Sequence, residues 1–291
     1  MTDIVISEFM DEAVVRSVFE GRDVLYDPGL VDQPARLSRA LADARALIVR
    51  NRTQVRGQLL ASAPKLRVVG RLGVGLDNID VDACKARGVA VHPATGANDA
   101  SVAEYVITAA LVLLRRAWFA TSEIAAGTWP RMKLIGREAS GKSLGLLGFG
   151  AIARETARRG CALGMRVRAF DPYLSAGDAA WTAAERISFE TLLAESDVVS
   201  LHVPLTPETR HLIDARAIGR MRRDAILINA ARGGVVDEAA LIAALREQRL
   251  GGAALDVFEH EPVDASGGQR FAGIPNLILT PHIAGVTDES N

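Results

Sequence analysis

Three side chains in the second half of the chain have types suited to moving a proton beside a bound carboxylate. They are Arg232 in Asn229-Ala-Ala-Arg-Gly-Gly234, Glu261 in Asp256-Val-Phe-Glu-His-Glu-Pro262 and His282 in Thr280-Pro-His-Ile-Ala-Gly285. Arginine presents a fixed fork of donors that grips a carboxylate through two hydrogen bonds and polarises a neighbouring carbonyl. Histidine titrates near neutral pH, so it gives a proton to a carbonyl oxygen in one direction and takes one from an alcohol in the other. A carboxylate bonded to the other ring nitrogen fixes the tautomer and favours the imidazolium. The set suits hydride transfer at a 2-hydroxy or 2-keto acid. Singly, each residue has a plainer reading: a surface ion pair, a loop glutamate before proline, a loop histidine. Their shared place just beyond three strand ends is what outweighs those readings.

The elements that must position them are legible as apolar runs at α/β spacing: 144–147, 166–170, 198–203, 225–229, 253–257 and 277–280, with helices over 151–163, 189–195, 214–221 and 238–247. Such alternation predicts a parallel, doubly wound sheet with right-handed crossovers. Ligands of open α/β sheets bind outside the carboxyl ends of the strands. The first run leads through Gly148-Phe-Gly150 into the helix at Ala151, and Gly148, Gly150 and Ala153 match G-x-G-x-x-G/A. In that pattern the first glycine makes the tight turn, the second admits a pyrophosphate and the small third residue brings helix and strand together. Phosphates would rest on free N–H groups at a helix N-terminus. The next strand ends in Asp171, placed to accept hydrogen bonds from an adenosine ribose and to repel a 2′-phosphate, which favours NAD over NADP. A turn-forming aspartate before Pro172 is the other reading, and Arg168 leaves room for NADP.

The first third carries its own alternation. Strands are expected at 4–6, 46–49, 67–70 and 89–91, and helices at 11–20, 34–42, 54–61 and 80–87. This predicts a small parallel α/β domain without a glycine fingerprint, suited to presenting substrate contacts. Residues 101–116 are apolar nearly all round, which calls for burial between the domains or in a subunit interface, with Asp99 or Ser101 as cap. The stretch 118–140, with Trp118, Phe119, Trp129 and Met132, reads as an arm on a partner subunit or as a satellite core patch.

With 291 residues, two domains fit comfortably. A net charge of −1 without a basic block argues against nucleic acid. No run has membrane-span length, and Met1-Thr2-Asp3 does not resemble a signal peptide, so a cytoplasmic protein is expected. Cys84 and Cys161 lack C-x-x-C spacing and read as buried free thiols in helices; no metal site is expected.

Taken together, Gly70-Arg-Leu-Gly-Val-Gly-Leu-Asp-Asn-Ile-Asp80, Ser101-Val-Ala-Glu104, Leu147-Gly-Phe-Gly-Ala-Ile152, His202-Val-Pro-Leu-Thr206, Asn229-Ala-Ala-Arg-Gly-Gly-Val-Val-Asp237, Ala254-Leu-Asp-Val-Phe-Glu-His-Glu-Pro262 and Thr280-Pro-His-Ile-Ala-Gly285 resemble the D-isomer-specific 2-hydroxyacid dehydrogenases. The resemblance runs from about Arg67 to the end. It implies two Rossmann-like, doubly wound parallel-sheet domains with a cleft between them: a substrate-binding domain over 1–98, completed by 286–291 and a further C-terminal helix, and an NAD-binding domain over 99–285. It implies that Arg232, Glu261 and His282 are catalytic; the homodimer expected for the chain follows instead from reading 118–140 as an arm on a partner subunit. Asp256 would bind the nicotinamide carboxamide. Val203, Pro204 and Ala230 would line the cofactor pockets, with Ala284 and Gly285 as further contacts, while the amides of Ala151 and Ile152 would meet the pyrophosphate. Backbone N–H groups at Val74 and Gly75 would hold the substrate carboxylate opposite Arg232. Glu259 and His260 fall off the catalytic positions and read as solvated; His92, His202 and His211 read as structural. Many relatives have arginine where this chain has Ala151.

Arg50-Asn-Arg-Thr53 follows a predicted strand end, so Asn51 and Arg52 are expected at the substrate, with Arg71 and Lys133 as further cations for a second anionic group. Surface cations are the alternative. The stretch resembles the sulfolactate-acting branch of the family, with phosphoglycerate-acting members next. A non-catalytic NAD(H)-sensing regulator of the same fold is the competing function.

Overall fold

The computed structural model describes residues 2–116 and 119–291, so the expectation at Trp118 lies outside the described residues. The chain forms two compact units, residues 1–98 with 286–291, and residues 99–285.

In the first unit the elements run β1 (Ile4–Ile6), α1 (Glu12–Val18), β2 (Val24–Tyr26), α2 (Pro34–Leu41), β3 (Ala46–Val49), α3 (Gly57–Ala61), β4 (Val68–Arg71), α4 (Val81–Ala86) and β5 (Ala90–Pro93). They build a five-stranded parallel sheet in the order β2-β1-β3-β4-β5. Val5, Leu47, Val49 and Val69 point into a core with Leu30, Leu37, Leu41 and Leu60, while Ile4 and Ile6 point to the opposite face with Met10 and Val15. That alternation is the period of two that strands impose. Two local expectations differ. The strand Val24–Tyr26 adds an edge that its three residues do not announce, and the helix expected from 54 begins at Gly57, because Val55 is drawn into a bridge with Ile79.

The second unit continues with α5 (Asp99–Arg115), α6 (Thr121–Ala125), β6 (Ser143–Leu147), α7 (Ala151–Ala162), β7 (Arg166–Phe170), β8 (Glu185–Arg186), α8 (Phe189–Glu195), β9 (Val198–Leu201), α9 (Ala215–Arg220), β10 (Ile226–Asn229), α10 (Glu238–Arg246), β11 (Gly252–Leu255), α11 (Ala265–Gln269) and β12 (Leu277–Leu279). Its seven strands are all parallel in the order β12-β11-β10-β9-β6-β7-β8. Strand order reverses at β6, which has β7 on one side and β9 on the other. Every residue of β6, β9, β10 and β11 is buried, as strands covered on both faces must be. Leu147, Leu227 and Leu255 enter one core layer with α8, α9 and α10; Leu146, Ile226 and Ile228 enter the other with α5 and α7.

Helix α5 finds its cover inside this unit, where Val106, Ala110, Leu113 and Leu114 share the second core layer. It begins at Asp99, so Asp99 and Ser101 lie in its first turn rather than at its cap. Cys84 is buried, but Cys161 is exposed, contrary to the expectation of two buried thiols. Ala153, Ala157 and Gly160 form the buried stripe of α7, and Cys161 stands one residue off it. In the arm, Trp129 and Met132 are 80% and 77% exposed, which leaves them outside any core patch of the unit.

Candidate active site

The glycine turn sits at the carboxyl end of β6. Gly148 adopts φ 85°, and a Cβ there would fall 2.6 Å from the His202 carbonyl oxygen, so only glycine fits. Its N–H donates to Phe170 O (2.8 Å), and the next N–H, of Phe149, donates to Asp171 Oδ2 (2.8 Å). Asp171 Oδ1 accepts from Tyr173 N–H (2.9 Å). The carboxylate thus docks on the turn with two of its about four acceptor positions filled. Gly150 is the N-cap of α7 without a side-chain cap, and among the described residues the N–H groups of Gly150, Ala151 and Ile152 have no protein acceptor. A Cβ at Gly150 would meet nothing within 4 Å, while Ala153 behind it is fully buried. A bare helix start, an open approach over Gly150 and an acidic group beside the turn fit a dinucleotide. Val203 and Pro204 follow β9, with a Val203 methyl against the turn, and Ala230 follows β10. His202 bonds Ser200 Oγ through Nε2 (3.0 Å), and burial pushes its pKa down to about 4, in keeping with a neutral structural residue.

Arg232, Glu261 and His282 gather at the ends of β10, β11 and β12. His282 Nδ1 lies 2.7 Å from Glu261 Oε2, and Glu261 Oε1 accepts from Phe258 N–H (2.9 Å). Burial alone would raise the Glu261 pKa. The His282 hydrogen bond, the Phe258 N–H and the charges of His282 and Arg232 together hold it below the ordinary value. Nδ1 is occupied, and among the described residues no hydrogen bond is made through His282 Nε2. The Arg232 loop is clamped by fully buried Asn229, whose Nδ2 donates to Arg232 O (2.9 Å) and whose Oδ1 accepts from Ala231 N–H (3.1 Å). At Gly233 a Cβ would lie 1.7 Å from Phe258 O, so this glycine brings the Arg232 loop against the Glu261 loop.

Asp256, 1% exposed, directly follows β11 and holds the His282 turn. Its Oδ1 accepts from Thr280 Oγ1 (2.6 Å) and Ile283 N–H (2.8 Å), its Oδ2 from Ala284 N–H (2.8 Å), and its carbonyl oxygen from His282 N–H (2.8 Å). His282 itself adopts φ 57° in the left-handed region. Such a conformation costs about 1–2 kcal/mol for a non-glycine residue, and these bonds offset it. Gly285 closes the unit.

In the first unit, Asn51 and Arg52 lie exposed just after β3. Arg52 forms an ion pair with Asp32, and its Nη1 donates to Asp32 Oδ2 (3.3 Å). Beneath the loop sits buried Glu8, whose Oε1 accepts from the N–H groups of Arg50 and Thr53 (both 2.9 Å) and whose Oε2 accepts from Arg52 N–H (3.1 Å). Asn78 Nδ2 donates to the carbonyls of Arg50 (3.1 Å) and Thr53 (2.8 Å). Val74 and Gly75 follow β4, and among the described residues their N–H groups donate to no protein acceptor. Arg71 donates through Nη1 to Leu72 O (2.8 Å), so its head lies along its own loop.

Glu259, expected as solvated, is engaged: its Oε1 accepts from Glu238 N–H (3.1 Å), its own N–H donates to Glu238 Oε1 (2.6 Å), and His211 Nε2 lies 3.2 Å from it. Glu8, Asn78, Asn229, Tyr105 and Thr280 were not singled out from sequence. A charged residue at the end of an apolar strand was the available signal for Glu8, as in Ile6-Ser7-Glu8.

Residues 107–284 match the family model described as D-isomer specific 2-hydroxyacid dehydrogenase, NAD binding domain. The chain is 56% identical over 292 residues to an (S)-sulfolactate dehydrogenase of Chromohalobacter salexigens, covering 100% of this chain and 94% of that relative. The chain belongs to the D-isomer-specific 2-hydroxyacid dehydrogenases. As a member of that family it is an NAD-dependent oxidoreductase of 2-hydroxy acids. A D-3-phosphoglycerate dehydrogenase of Mycobacterium leprae is 42% identical over 262 residues, 89% of this chain and 49% of that protein, so this dehydrogenase spans about half of its length. The structure of a D-lactate dehydrogenase from Aquifex aeolicus complexed with NAD and lactic acid superposes with a TM-score of 0.83 at 29% identity, covering 99% of this chain and 90% of that one. Among the described residues no helix is long and apolar enough to cross a membrane, and none of the carboxylates, histidines and cysteines cluster as a metal site.

Proposed function

We propose that the protein oxidises a D-configured 2-hydroxy acid carrying a second anionic group on its third carbon, 3-sulfolactate first and 3-phosphoglycerate second, or reduces the matching keto acid. The observation that carries the reading is the His282–Glu261 pair at 2.7 Å, with the Arg232 charge acting on the same carboxylate, on the sheet edge that also bears the bare helix start of α7. When bound, NAD would supply the hydride acceptor for C2, and NADH the hydride donor for the reverse direction. His282 Nε2 takes the hydroxyl proton during oxidation and gives it back during reduction. Glu261 holds the ring by Nδ1 and balances its positive charge. Arg232 binds the substrate carboxylate and polarises the C2 oxygen; in the first unit the N–H groups of Val74 and Gly75 are substrate contacts. Ala151, Ile152, Asp171, Val203, Pro204, Ala230, Ala284 and Gly285 contact the cofactor.

Asn51 and Arg52 receive the second anion. The Arg52–Asp32 pair is exposed and worth about 0–1 kcal/mol, so the guanidinium can exchange Asp32 for a sulfonate or phosphate at little cost. The sulfolactate reading is supported by the 56% identical relative. The protein acts as a cytoplasmic homodimer, with the exposed Trp129 and Met132 of the arm covered by the second subunit. The test is NADH formation from the two enantiomers of 3-sulfolactate, 3-phosphoglycerate, glycerate and lactate. The expected result is turnover confined to the D-configured series, named (S) for sulfolactate, with the highest kcat/KM for a dianion. Preference for lactate would overturn the dianion assignment, and NAD binding without turnover of any of them would make the protein a regulator.

A further inference from the structure

Two hydroxyls with no part in that chemistry, Tyr105 on α5 and Thr280 after β12, join Asp256 in a hydrogen-bonded chain whose direction can be worked out. Thr280 Oγ1 lies 2.6 Å from Asp256 Oδ1 and 2.6 Å from the Tyr105 hydroxyl. A threonine hydroxyl has a single proton to give. Asp256 takes backbone N–H groups on both oxygens and acts as acceptor throughout, so the Thr280 proton goes to Asp256, and Tyr105 must give its own proton to Thr280 Oγ1. Burial, opposed by the Thr280 hydrogen bond and helped by the Asp256 charge, pushes the Tyr105 pKa up to about 12, which keeps that proton in place.

An ionised carboxylate has about four acceptor positions. Thr280 and Ile283 fill both on Oδ1, and Ala284 N–H fills one on Oδ2. Among the described residues nothing donates to the last one. The plane of the carboxylate, and hence the direction of that remaining lone pair, is fixed by the Tyr105–Thr280 chain on one oxygen and by Ala284 on the other.

We propose that Tyr105 and Thr280 are positioning residues for the nicotinamide end of the site: they orient Asp256 so that one acceptor position on Oδ2 faces the carboxamide, and they hold the turn that carries His282. This inference rests on the reading of the second unit as the NAD site and assigns the part of it that senses the nicotinamide ring rather than the adenosine half.

The experiment measures, with the full chain, dissociation constants for NADH and for ADP-ribose, which lacks the nicotinamide, together with kcat and KM, for the wild type, Tyr105→Phe, Thr280→Val and Thr280→Ser. A lost neutral hydrogen bond corresponds to about five-fold. Tyr105→Phe is expected to weaken NADH about five-fold and Thr280→Val about ten-fold or more, with ADP-ribose unchanged within about two-fold. The value of kcat falls alongside, and Thr280→Ser restores both. Equal weakening of the two nucleotides, no change in either, or failure of Thr280→Ser to restore the ratio overturns the proposal. Should Thr280→Val not fold, Tyr105→Phe, which removes one oxygen, decides by the same ratio. A wild type that binds ADP-ribose as tightly as NADH overturns the nicotinamide assignment itself, and this proposal with it, before any variant is made.

Discussion

Replacing Glu261 with Gln keeps the shape of the side chain and removes a negative charge 2.7 Å from His282 Nδ1. The two side chains are 29% and 32% exposed, so their interaction lies between the limits for water and for a protein surface. Opposite unit charges at that distance attract by about 1.5 kcal/mol at the dielectric constant of water and by about 6 kcal/mol at an effective value of ~20. The smaller figure already corresponds to about ten-fold in rate for a step whose transition state places positive charge on the ring. A second loss adds to it: Phe258 N–H keeps the Gln oxygen and turns its NH2 towards Nδ1, the wrong partner for the tautomer that leaves Nε2 free. Together they lower kcat/KM by roughly a hundred-fold or more in both directions. Initial rates of NADH formation and of keto-acid reduction read the loss, and direct titration with NADH reads binding. A loss of less than about ten-fold, in a variant that still binds NADH, would refute the Glu261–His282 assignment.

Asp171→Ala removes the carboxylate beside the glycine turn and should narrow the kcat/KM preference for NAD over NADP by about ten-fold or more; an unchanged ratio would remove Asp171 from ribose recognition. Glu8→Gln leaves Arg50 and Thr53 with an acceptor but turns a donor towards Arg52 N–H, so urea unfolding should show a loss of about 2 kcal/mol. The same variant should raise KM for the hydroxy acid more than KM for NAD, and equal effects on both would count against Glu8 as the support of the substrate loop.

The doubly wound sheet was legible because β6, β9, β10 and β11 are buried on both faces and read as continuous apolar runs. The rule that ligands meet strand ends then brought Arg232, Glu261 and His282 to one edge without any measured distance. Positions that depend on partners distant in sequence were not legible. Val24–Tyr26 is a strand because β1 pairs with it, and Tyr105 reads as one more residue of an apolar helix until Thr280 is found 2.6 Å away. Glu8 looks like an ordinary surface glutamate until three N–H groups converge on it. Cys161 was within reach, since helical periodicity places it beside, and not on, the stripe Ala153, Ala157, Gly160.

If this edge of the sheet performs acid–base chemistry beside NAD, with His282 holding the proton, His282→Ala must separate turnover from cofactor binding. The measurement is turnover of the best D-configured 2-hydroxy acid alongside the dissociation constant for NADH. A loss of kcat of at least about a hundred-fold is expected, with NADH affinity preserved within about two-fold because the Asp171 and Gly148–Ala153 contacts are untouched. Retained turnover would remove His282 from the proton transfer.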